Sequence, residues 1–182
     1  MSKNLYPYRR FPTIQAEPTS RAVRGTDAVK NKLHDLCLEC DKSIITIECY
    51  PGVNDAEILS LFPKAALIIH ADELAIAPAE LDAKIEHELT DDNVFGIMTT
   101  WRLLDFYPSE ALCAAQKKIN AVESGLVIVY GVGASLVTRG DVLIYADLTR
   151  WEVQLRFRKG QDNWHTARHG LPQRAKYKRG YF

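Results

Sequence analysis

Four short apolar runs rich in β-branched residues alternate with segments whose apolar residues recur at helical spacing. The runs are 43–49 (SIITIEC), 65–70 (AALIIH), 126–130 (LVIVY) and 142–146 (VLIYA). Each is continuous rather than alternating, the pattern of a strand covered on both faces. Helices are expected over 27–41, 54–61, 78–88, 108–122 and 149–159. Asn54 and Thr149 suit N-caps, with Glu57 and Glu152 three positions on; Pro78 suits a first turn, and Gly160 a stop. A Glu80/Lys84 pair lies at i, i+4 within the third helix. Residues 90–106 have a mixed pattern and read as packed but irregular. The alternation predicts one three-layer α/β domain over 25–160, with a mainly parallel sheet of about five strands and helices on both faces. Residues 1–24 read as an extended N-terminal arm, and 161–182 as a basic C-terminal tail.

In such sheets ligands bind beyond the carboxyl ends of the strands, which directs attention to 48–54, 70–73, 131–135 and 147–150. The turn at Pro51-Gly52 leads into a helix start, where free amides point at an anion. Yet there is no G-x-x-x-x-G-K-[ST] and no lysine between Lys42 and Lys64, so a phosphate-transfer loop is absent. Glu48 would repel a phosphate there, and Pro51 removes an amide. Gly131-Val-Gly133 follows a buried strand like part of a dinucleotide fingerprint, but Leu136 holds the third glycine position. Arg150, Arg156, Arg158 and Lys159 form a basic cluster on the exposed side of a helix whose Trp151 and Leu155 face the core. Gly52, Asn54, Gly131, Gly133, Arg150 and Arg156 are therefore the candidate anion contacts. The alternative is plain turns, a plain cap and a solvated helix end. His70, Asp72 and Glu73, and Asp91 with Asp92, offer paired carboxylates for acid/base work or magnesium, or simply an acidic surface. No catalytic residue, metal-ligand set or cofactor motif is identified.

Composition adds exclusions. With 47% hydrophobic and 25% charged residues the chain has an ordinary globular make-up. No apolar run approaches the ~18–20 residues of a membrane span, and the N-terminus lacks a secretory apolar stretch, so no membrane partner and a cytoplasmic location are expected. Net charge is zero, but residues 150–182 carry nine Lys/Arg against two Asp/Glu, leaving minus seven on 1–149. Residues 71–92 hold eight acidic side chains against Lys84. Either the two halves lie against each other or are simply solvated, or the basic end meets an anionic ligand, with nucleic acid the less favoured. Cys37-Leu-Glu-Cys40 is a C-x-x-C near a helix end, on a core-facing stripe with Leu33 and Leu36; buried free thiols are expected rather than a redox or zinc pair.

Two resemblances extend this. Residues 126–160, with LVIVYG, Asp141, VLIYA, Asp147 and a helix ending in basic residues, resemble the late part of uridine-kinase-like P-loop proteins. In those the basic helix leads into a lid over nucleotide phosphates, which implies a degenerate nucleoside-kinase-like fold here. The strings ECYPGV (48–53), LTDDNVFG (89–96), YGVGASLV (130–137), YADLTRWEVQLRFRKG (145–160) and YKRGYF (177–182) resemble the N-terminal region of bacterial class I mannose-6-phosphate isomerase-like proteins. In that group a zinc-binding cupin domain follows and carries the isomerase chemistry. The resemblance implies an accessory, non-catalytic or weakly ligand-binding kinase-like domain in sugar-phosphate metabolism. Its ligand would be a phosphorylated small molecule or nucleotide, and its partner a cupin-type isomerase domain. The alternatives are a docking module without a small-molecule site, and an atypical nucleoside or sugar kinase.

Overall fold

The computed structural model describes residues 13, 22–37 and 41–181. Most of the expected N-terminal arm and Cys40 lie outside the described residues, as does the side chain of Cys37. The elements run α1 Thr26–Cys37, β1 Lys42–Cys49, α2 Asp55–Leu59, β2 Leu67–His70, α3 Pro78–Lys84, α4 Glu86–Leu89, α5 Ser109–Ala121, β3 Gly125–Gly131, α6 Ala134–Val137, β4 Val142–Ala146, α7 Arg150–Arg158 and α8 Gln173–Tyr181. Short 3-10 turns cover Ala71–Leu74 and Leu103–Phe106.

The strands form one parallel sheet in the order β2-β3-β1-β4, four strands rather than about five among the described residues. Ile45 faces Ile128 on one side and Val142 on the other, so β1 is central. One face packs Val127, Val129 and Ile69 against Leu112, Ala115 and Ile119 of α5 and Ala134 and Val137 of α6. The other packs Ile45, Ile47 and Ile128 against Phe62, with Leu33 of α1 and Ile58 and Leu59 of α2 around them. Ile45 and Val127 are fully buried, and each such aliphatic side chain stabilises the fold by roughly 1.5–3 kcal/mol. This is a three-layer α/β arrangement with helices on both faces.

The edge strands depart from their sequence pattern. Leu143 and Tyr145 of β4 are 52% and 61% exposed, and Ile68 of β2 is 49% exposed. β4 is exposed on one face, while α6 packs chiefly on β1 and β3. Continuous apolar composition does not distinguish a central strand from an edge strand with one uncovered face.

The basic end of the chain is not a loose tail. Arg179 of α8 pairs with Asp82 of α3, both nearly buried. Arg168 pairs with Glu86, and the Lys178 ammonium donates to the Thr90 and Asp92 carbonyls. The acidic segment and the basic segment thus lie against each other. The expected 78–88 helix breaks at Ile85 into α3 and α4. Lys84 does not reach Glu80; its ammonium donates to Asp105 O at 2.6 Å and sits 4.5 Å from the Trp101 ring centre.

Candidate functional site

β1 and β3 are neighbours, yet the chain leaves them toward opposite faces, into α2 and α6. The crevice between their carboxyl ends is the switch point where open α/β sheets take ligands. Here the protein fills it with its own carboxylate. Glu48 Oε1 accepts from Gly133 N at 2.7 Å, and Oε2 accepts from Ser135 N at 2.8 Å. Asp72 does the same next door, accepting from Val132 N at 2.7 Å and from Trp164 Nε1 at 2.8 Å.

Gly131 and Gly133 serve this internal packing. Gly131 has φ +114°, and a Cβ there would lie 2.5 Å from Asp72 Oδ1. Gly133 has φ +78°, and its Cβ would lie 2.8 Å from the Tyr107 ring. The Tyr107 hydroxyl donates to Val132 O at 2.6 Å, and burial drives the phenol far above its ordinary pKa. These two glycines surround the Glu48 and Asp72 carboxylates and leave no free amide cradle at Gly133.

Beside the crevice, the His70 ring stacks flat on Tyr130, 4.5 Å centre to centre. Its Nε2 lies 3.5 Å from Asp55 Oδ2 and 3.6 Å from Asp72 Oδ2, and Nδ1 lies 3.8 Å from Glu73. Nε2 is shielded from solvent and has no hydrogen-bond partner, so the coupling is electrostatic. Asp72 foremost, with Asp55 and Glu73, raises the imidazole above its usual range against the opposing effect of burial. Burial likewise raises Asp55. Cys49 is buried at the end of β1, and desolvation pushes its thiol up to about 11, which makes it a poor nucleophile. Among the described residues no group of three or more His, Cys, Asp or Glu is arranged to hold a metal ion.

The open space lies on the far side of the Pro51-Gly52 turn. Gly52 takes φ +99°, and its carbonyl accepts from Arg156 and Gln161. Arg156 is not on the exposed side; it is clamped between Gly52 O and Glu152, whose carboxylate is 2.9 Å away. Asn54 caps α2, accepting from Ala56 N at 3.1 Å and Glu57 N at 3.3 Å, so its side chain is engaged within the fold. Thr149 caps α7 through Glu152 N. Trp151, expected in the core, is 59% exposed, and the Arg158 guanidinium lies over its ring at 5.4 Å.

Between this turn, α7 and α8 opens a cleft of about 220 Å³ walled by Tyr50, Phe157, Trp164, Tyr177 and Tyr181, with Arg150 also lining it. A second, more apolar cleft of about 240 Å³ adjoins it through Pro51, Asn163 and Trp164. Of the six residues singled out in the sequence, Gly52, Arg150 and Arg156 line the first cleft, and the other three do not. The aromatic wall escaped sequence reasoning. The available signal was three aromatics, Trp164, Tyr177 and Tyr181, inside an otherwise polar and basic stretch.

No helix among the described residues is long and apolar enough to cross a membrane. A search of curated proteins finds no match, and neither does a search of solved structures. A family model described as a domain of unknown function, DUF8485, matches residues 25–182, and the chain belongs to that family.

Proposed function

We propose that this domain is a non-catalytic binding module for a phosphorylated small molecule, acting in sugar-phosphate metabolism as a degenerate kinase-like accessory domain. The observation that carries the reading is the aromatic cleft beyond the strand ends, with Arg150 on its lining. Aromatic walls offer stacking area to a planar or sugar ring, and a guanidinium suits phosphate oxygens. The absent lysine at the Pro51-Gly52 turn, the Glu48 carboxylate in the amide nest and the high-pKa Cys49 thiol all favour binding over chemistry. The isomerase-like strings supply the metabolic setting and a cupin-type isomerase domain as partner. Calorimetric titration with ATP, uridine nucleotides and mannose 6-phosphate tests the reading. Binding of at least one that weakens in Tyr50→Ala is the expected result; no heat from any at millimolar ligand sinks it.

A second reading, a docking module with no small-molecule site, draws on one different observation. Val94, Phe95 and Met98 are 64%, 69% and 62% exposed within one irregular segment. A contiguous bare apolar stretch of this kind is characteristic of protein contact surfaces. Loss of co-purification with a cupin isomerase in Phe95→Asp/Met98→Asp, with ligand titrations silent, would favour it over the first.

A further inference from the structure

Of the nine cationic side chains in 150–182, four have carboxylate partners: Arg156 with Glu152, Arg168 with Glu86, Lys176 with Asp162 and Arg179 with Asp82. Lys178 is spent on backbone carbonyls. Arg150, Arg158, Lys159 and Arg174 have no carboxylate partner among the described residues, and the three arginines line one groove. It is an open concavity of about 370 Å³ lined by Arg150, Gln154 and Arg158 of α7 and Gln173, Arg174 and Tyr177 of α8. Positions 150, 154 and 158 fall on one helix face at i, i+4 and i+8. No acidic side chain lines it. Three guanidinium groups on one small concavity repel one another, and an anion bridging them removes that cost. Guanidinium forks match phosphate oxygens, and the two carboxamides add neutral donors.

The groove shares Arg150 and Tyr177 with the aromatic cleft. We propose that the two are halves of one site, the cleft taking a planar ring and the groove taking a di- or triphosphate attached to it. The ligand class is then a nucleoside polyphosphate. Its phosphates lie between α7 and α8, away from the strand-end crevice that Glu48 occupies. The proposal rests on the reading of the cleft as a ligand site and adds where the charge goes.

The test titrates the full chain with ATP, adenosine and inorganic tripolyphosphate by calorimetry, in parallel with Arg158→Ala/Arg174→Ala. Both arginines are exposed, so the variant keeps its fold, and a thermal melt verifies this. The expected result is that ATP binds at least tenfold tighter than adenosine. The double variant loses that advantage and its tripolyphosphate binding, while adenosine binding is unchanged. Arg158→Lys/Arg174→Lys, which keeps charge but not the forks, falls between. ATP binding unchanged in the alanine variant, or no tighter than adenosine, overturns the groove and leaves the cleft reading standing. Tripolyphosphate bound without any contribution from the nucleoside overturns the joint site, as does silence from all three; the cleft reading then falls only if uridine nucleotides and mannose 6-phosphate are silent as well.

Discussion

The strand-end crevice and the α7–α8 side differ in how their charges are matched. In the crevice, both carboxylates have donors from the same chain: Glu48 takes Gly133 N and Ser135 N, and Asp72 takes Val132 N and Trp164 Nε1. Across the turn, Arg150, Arg158 and Arg174 face a shared groove without carboxylates. A site that is satisfied in the unliganded fold has little to gain from a ligand, whereas unmatched cations do. The position that fold architecture recommends is therefore the less promising of the two.

The largest way to break the contrast is to release the wall that creates the cleft. Asp82→Ala strands the Arg179 guanidinium in a site where the two side chains are 5% and 7% exposed, and removes the acceptor of Thr166 Oγ1 and Ala167 N. A loss of about 3–5 kcal/mol in urea unfolding is expected, with any ligand binding lost too. Glu48→Ala comes next, at about 1–3 kcal/mol, because two amides lose a charged acceptor. It also vacates the nest, so added phosphate should raise the melting temperature of this variant by more than that of the natural protein. Equal phosphate response in both would show that removing Glu48 opens no phosphate site in the crevice. Gly131→Ala, forced to φ +114° against Asp72, costs on the order of 1–3 kcal/mol by the same measurement.

pH separates the regions by sign. The folded pKa of His70 lies above its free value, so its contribution is complete below about 6.5 and is lost as pH rises through the folded value. Burial of Asp82 opposes ionisation, but the Ala167 amide and Arg179 outweigh it and lower its pKa. Its contribution is complete above about 4 and is lost as pH falls through the lowered value. Stability measured across pH should decline at both ends, and His70→Gln should flatten only the alkaline limb. The smallest effect belongs to the open groove: Arg158→Ala/Arg174→Ala should change unfolding stability by less than about 0.5 kcal/mol while changing anion binding.

The elements easiest to read in the sequence were those whose signals are local. Val142–Ala146 is the fourth apolar run to the residue, Asn54 and Thr149 cap the helices they precede, and Gly160 follows α7. What could not be read depends on partners distant in sequence. The α8 sequence QRAKYKRGY has no apolar stripe, so periodicity gives no helix there. It is held by Asp82, 97 positions away from Arg179. Trp151 and Leu155 share a helix face, but which face meets the sheet is a tertiary fact; Trp151 ends up outside. Gly131 and Gly133 stand out in the sequence by their place after a strand end; both take left-handed backbone in the fold. Asp72 and Tyr107 also press in so closely that a Cβ is excluded at either position, which no spacing rule exposes.

Lys176 has a consequence for experiment. Its side chain is 3% exposed, and its ammonium donates to Gly160 O and Gln161 O and meets Asp162 Oδ1 at 3.0 Å. All three protons are committed, in the manner of a small cation lodged at the C-terminal end of a helix. An amine-reactive label applied under native conditions should therefore modify exposed Lys117 and Lys118 and pass Lys176 by. The moment at which that one lysine begins to react, on warming or in denaturant, reads out when α8 lets go.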